Sequence, residues 1–148
     1  MNIEDMRHLL EAEPFLGYLG LEVVEARMGA VILRLPLRRE VSNHAASVHG
    51  GAQYALGEAT ASALAATLFP ERIDQVSLLT ASASITYHRL AHGDLTAHAE
   101  LPADEYEHIR TEFDVRGRVR FSASVALTDA DGGVTTTLVV ACAARLRS

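Results

Sequence analysis

The chain has 148 residues, a formal net charge of −6, one cysteine and no tryptophan. That length suits a single domain whose core needs no disulfide or metal to hold it, and the lone Cys142 excludes an internal disulfide. The acidic balance argues against a nucleic-acid partner, because binding a phosphate backbone takes a basic stripe.

Ile3 to Glu13 reads as a short helix, with Met6, Leu9 and Leu10 on one side and Pro14 closing it. Leu21 to Ala26 and Val31 to Pro36 read as a hairpin turning at Met28-Gly29. Arg38 to Val48 is polar and irregular. Gly51 to Phe69 is the one long helical segment, ended by Pro70, which lacks an amide hydrogen and clashes with the preceding turn. Seven alanines make this helix thin, and a thin apolar helix can be approached closely on several sides at once.

Four strand-like segments follow. Leu79 to His88 alternates, with Leu79, Ala81, Ala83, Ile85 and Tyr87 on one expected face. Leu95, Ala97, Ala99 and Leu101 alternate in the next. Between Leu101 and Gly117 a helix is expected, opened by Pro102 and carrying Tyr106, Ile109 and Phe113 as an apolar stripe. Val119 to Thr128 and Val134 to Arg147 complete the set, joined by a turn at Asp131-Gly132-Gly133. Hairpin-compatible strands around one long helix imply an α+β fold with an antiparallel sheet. Cys142 falls in the last strand and is expected to be a buried thiol, not a nucleophile. No stretch resembles a secretion signal or a bilayer-spanning helix, so a cytoplasmic protein is the expectation.

Chemistry-bearing residues cluster on the long helix. His49-Gly50-Gly51 lies where the loop turns into it, so unpaired amide hydrogens and the positive end of the helix dipole favour negative charge there. Glycine also lets a ligand approach the backbone closely. Glu58 is a charge amid small apolar residues, costly to bury without a partner, cavity or water. Tyr54, Glu58 and Ser62 share one helical face, and Asn43 on the preceding loop could orient water or a carbonyl with its amide. Scattered histidines (His44, His88, His92, His98) lack ligand spacing, so no metal and no redox cofactor is expected. At 1.5 Å rise per residue, Gly50 and Glu58 lie roughly 12 Å apart along the helix. Groups acting on one carbonyl need contacts near 3 Å. If both act together, they come from different chains, which implies a two-fold dimer with two equivalent sites.

The order Asn43, Val48-His49-Gly50-Gly51, Glu58 and Ser62, followed by Ile85-Thr86-Tyr87-His88-Arg89 and Gly93-Asp94-Leu95, resembles the PaaI-type hotdog acyl-CoA thioesterases, from about Leu19 to Arg145. The Glu58 and Ser62 pair is more similar to the 4-hydroxybenzoyl-CoA thioesterase branch that uses glutamate, and the helix from Ala103 to Val115 is an insertion. The resemblance implies a hotdog fold, a homodimer or dimer of dimers, and hydrolysis of a small or medium acyl-CoA. Gly50 would polarise the thioester carbonyl, and Glu58 of the partner subunit would act as base or nucleophile. Asn43 and Ser62 would position water, and His49 would hold the loop or bond near the carbonyl. Gly51 and Tyr54 would line the substrate, and Arg89, with Arg116, Arg118 and Arg120 as further candidates, would meet the coenzyme A phosphates. Two rival functions use the same fold: non-catalytic acyl-CoA binding or sensing, and enoyl-CoA hydration.

Overall fold

The computed structural model describes residues 1–148. Helix α1 spans Ile3–Glu11 and is capped by Asn2, whose side chain accepts from the Asp5 amide at 2.9 Å. Pro14 does not simply close this helix. It occupies the first position of a second one, α2 (Pro14–Leu19), where a missing amide hydrogen costs nothing. Strands β1 (Glu22–Arg27) and β2 (Ala30–Leu35) form the expected hairpin. Helix α3 runs Gly50–Thr67, one residue earlier than expected at its start, and loosens into tighter turns at Leu68 and Phe69. Then come β3 (Val76–Tyr87), β4 (Leu95–Glu100), α4 (Ala103–Arg116), β5 (Arg118–Thr128) and β6 (Val134–Leu146).

The six strands make one antiparallel sheet in the order β1-β2-β4-β5-β6-β3, and it wraps α3. The wrap is tight because α3 carries so few large side chains. At Gly57 a Cβ would stand 2.5 Å from a Leu138 methyl of β6, so glycine alone fits at that crossing. Buried Leu56, Leu64, Val31, Leu33, Val125 and Val140 fill the space between helix and sheet.

The inserted helix α4 lies where expected. Ile109 and Phe113 are buried, and Phe113 packs on Phe69 with ring centroids 4.5 Å apart. Arg110 donates to the Leu68 carbonyl, so α4 closes the C-terminal end of α3. No helix is long and apolar enough to cross a membrane.

Strand β3 departs from its expected alternation. It starts at Val76, and a β-bulge between Thr80 and Ser82 inserts one extra residue. An extra residue reverses which side chains face inward. Val76, Leu78 and Thr80 therefore face α3 before the bulge, and Ala83 and Ile85 pack on the core after it, while Leu79 is 51% exposed. Leu79 and Ile85 do not share a face.

Replacing Gly57 with alanine tests the tight wrap. Overpacking against Leu138 should cost about 1–3 kcal/mol, read as a lower thermal midpoint. An unchanged midpoint would show that the sheet yields at this crossing.

Candidate active site

Every residue of α3 is buried except Gly50, Gly51, Tyr54, Glu58 and Ser62. These five recur at three- and four-residue steps and form one open stripe along an otherwise enclosed helix. The expected site residues on α3 are therefore the helix's only accessible ones.

At the N-terminal end, the loop is built by Asn43. Its side-chain oxygen accepts from the Ala45 amide (2.9 Å), the Ser47 amide (3.2 Å) and the Ser47 hydroxyl (3.0 Å). That oxygen is committed to the loop, which leaves the side-chain NH2 as the part of Asn43 able to act on a ligand. His49 caps the helix, with Nδ1 accepting from the Gly51 amide at 2.8 Å. Accepting there requires Nδ1 to be unprotonated, so the neutral ring carries its proton on Nε2. The sequence leaves both glycine amides open, but the structure closes Gly51. The Gly50 amide hydrogen meets no acceptor within the chain. The Gly50 carbonyl accepts from the Tyr87 hydroxyl at 2.8 Å, which fixes the first turn against β3.

Two turns on, Glu58 is half-buried. Its Oε1 accepts from Ser62 (3.1 Å) and, in a short contact, from Thr80 of β3. No cation pairs with it, and Oε2 has no donor within the chain. One oxygen is thus anchored and the other left available. On the sheet opposite, Cys142 is buried, and its thiol is pushed up to about 11 by burial first and by the Glu58 charge second. A thiol held protonated in this way is a packing group.

The two ends of the stripe open into different cavities. Asn43, Gly50, Gly51, Gln53, Tyr87 and Arg89 line one of about 470 Å³. Glu58 and Ser62 line another of about 350 Å³, whose walls include Leu9, Leu10, Leu16, Ile73 and Leu78. The cavities share no residue. Tyr54 lies between them on the stripe and is partly exposed.

Arg89 reaches the Gly50 cavity as a paired group. Its two terminal nitrogens bind the Asp129 carboxylate at 2.8 and 2.9 Å, and Asp129 also accepts from the amides of His92 (3.0 Å) and Asp131 (3.1 Å). The guanidinium clamps two loops together, so it is not a free cation awaiting phosphate.

Three contributors were missed in the sequence. Thr80 falls on the polar face of a simple alternation, and only the bulge turns it inward. Tyr87 alternates with apolar residues, and nothing local marks its hydroxyl as a donor to the Gly50 carbonyl. Gln53, nearly buried, donates to the Val48 carbonyl at 2.9 Å and accepts from Thr136, bolting the helix start to the loop and to β6. A polar residue one turn into an apolar helix was the available signal for it.

A wrapped helix in a six-stranded antiparallel sheet is the hotdog architecture, α+β. Solved structures agree. A Pseudomonas aeruginosa protein of unknown function, described as a probable thioesterase, matches with a TM-score of 0.84 at 29% identity, covering 97% of this chain and 95% of its own. A Chlorobaculum tepidum protein of unknown function matches at 0.87 and 16% identity, over 97% and 94% of the two chains. A Staphylococcus aureus thioesterase, crystallised as a mutant, matches at 0.74 and 20% identity, over 90% and 99%. The last two show a shared fold. The chain belongs to the family described as a domain of unknown function, DUF4442, which matches residues 6–143. No curated protein matches it.

The Arg89 clamp predicts a pH signature. The guanidinium, aided by the His92 amide, holds the Asp129 carboxyl well below the usual carboxylate range. Its stabilisation is complete above the unfolded value of about 3.9 and fades as pH falls below it. In urea unfolding, the advantage of wild type over Asp129→Asn should be full near neutrality and shrink below about pH 4. A gap constant down to about pH 3 would contradict the clamp.

Proposed function

We propose that this protein hydrolyses acyl-coenzyme A thioesters at a site shared between two subunits. It would be a glutamate-using member of the PaaI-like hotdog thioesterases. One observation carries this reading: a single open helix stripe holds an unpartnered amide donor at one end and a half-anchored carboxylate eight residues further along. They are too far apart to serve one carbonyl from one chain. A second copy laid antiparallel on the stripe brings Gly50 to Glu58 of the partner subunit, and does so twice by symmetry. The Pseudomonas neighbour's description as a probable thioesterase supports the same chemistry.

In this arrangement the thioester oxygen accepts from the Gly50 amide, backed by the positive end of α3. Glu58 Oε2 takes a proton from water as the water oxygen adds to the carbonyl carbon. Collapse of the tetrahedral adduct breaks the C–S bond, and the proton passes to the departing thiolate. Ser62 and Thr80 hold the carboxylate through Oε1, and the Asn43 amide group orients water or the carbonyl. The apolar part of the Glu58 cavity is Leu, Ile, Val, Met and Ala, with no aromatic ring, and Glu13, Ser62, Thr80 and Arg147 complete its lining. The apolar part suits a small or medium aliphatic acyl chain.

An acyl-CoA panel with a thiol-trapping readout tests the reading. Wild type should release coenzyme A, and Glu58→Ala should lower kcat by about 10²–10⁴-fold. Gly50→Pro should also inactivate. It deletes the amide donor at a position where helices tolerate proline, and His49, at φ −59° and ψ 137°, already has the backbone a following proline needs. Retained acyl-CoA binding without turnover would point to a sensor, and water addition to an enoyl-CoA without thiol release would point to a hydratase. Turnover indifferent to Glu58→Ala would remove the mechanism.

A further inference from the structure

On the outer face of the sheet, away from α3, Arg118, Arg120 and Arg145 line a cleft of about 460 Å³ together with Arg116, Leu79 and Ala143. Strand register explains the cluster. Arg118 of β5 stands directly opposite Arg145 of β6, and Arg120 opposite Ala143, two residues along on the same face. On the far side of β6, Leu79 of β3 pairs with Ala143. Like charges placed directly opposite across strands destabilise a sheet. The one carboxylate at the cleft, Glu112, is shared between Arg116 at 3.7 Å and His108 at 4.0 Å, and Arg118, Arg120 and Arg145 have no ion-pair partner. A chain with a net charge of −6 nevertheless gathers four guanidiniums into one concavity. That is an energetic cost with no structural return inside the chain, and an anion is what would offset it.

The chemistry of the cleft narrows the anion. Guanidiniums bind phosphate oxygens through paired N–H donors. The half-exposed Leu79 and the small Ala143 beside them give a flat apolar surface on which a base can lie. Phosphates beside an apolar shelf suit a nucleotide better than inorganic phosphate. Leu79 also lines the Glu58 cavity, so the cleft and the carboxylate approach each other at the same strand. Arg89, locked to Asp129, is not available for this role.

We propose that Arg118, Arg120 and Arg145 bind the phosphates of the nucleotide end of coenzyme A. The inference rests on the acyl-CoA reading above. It selects coenzyme A thioesters over thioesters of an acidic carrier protein.

Binding can be read without catalysis, so the two readings fail separately. Titration calorimetry with coenzyme A and with adenosine 3′,5′-bisphosphate compares wild type with the double variant Arg118→Gln/Arg145→Gln. The expected result is at least tenfold weaker binding of coenzyme A to the variant, and displacement of coenzyme A from wild type by the bisphosphate. The variant's thermal midpoint should be no lower than wild type, because a like-charge pair has been removed, so weaker binding would not be a folding defect. Equal binding of coenzyme A to both proteins, or none to wild type, would overturn the proposal. So would an acyl-carrier protein that loses affinity for the variant while coenzyme A does not. Arginine-dependent coenzyme A binding with no thioester hydrolysis would leave the cleft standing and remove the proposed reaction instead.

Discussion

The close approach of α3 to the sheet governs the rest of the structure. Alanines and Gly57 let six strands come so near the helix that thirteen of its residues are buried, and at Gly57 even one methyl group has no room. The enclosure holds the helix in place and leaves one way out of it, the stripe from Gly50 to Ser62. A functional charge on this helix has to sit on that stripe, because anywhere else it would be buried without a partner.

The two ends of the stripe present different groups. Its first turn supplies backbone donors that the helix cannot satisfy internally. His49 takes one of them, Tyr87 pins the adjoining carbonyl, and Gln53 ties the turn to the sheet, so the Gly50 amide is left both free and rigidly aimed. Two turns later, Ser62 and Thr80 hold one oxygen of Glu58 and leave the other open. Groups fixed before substrate arrives need little rearrangement when charge develops, which is what makes such sites effective. The supporting hydrogen bonds come from the loop, from β3 and from β6, so the precision of the site depends on the fold holding all three against α3.

Much of this was legible in the sequence because it is periodic or local. The alternation of Leu95, Ala97, Ala99 and Leu101, the proline-opened helix with Ile109 and Phe113, and the run of alanines each specify their element by spacing alone. Glu58 stood out as a charge among small apolar residues. The failures come from features that periodicity does not encode. The bulge near Ala81 reverses the facing of β3 without any residue that announces it, so simple alternation hides Thr80 and puts Leu79 on the wrong side. Pro14 carries the same local meaning as the end of one helix or the start of the next, and tertiary packing of Leu16 and Leu19 decides between them. Arg89 looked like a free cation because its partner, Asp129, is forty residues away.

The central claim is that one site is built from two chains, and mixing inactive subunits tests it most directly. Glu58→Ala and Gly50→Pro proteins, each inactive alone, are unfolded together and refolded as mixed dimers. If Gly50 works with Glu58 of the partner subunit, each mixed dimer regains one intact site, and random mixing should restore about a quarter of wild-type activity. Mixed dimers that form but remain inactive would place both groups of each site within a single chain and contradict the account.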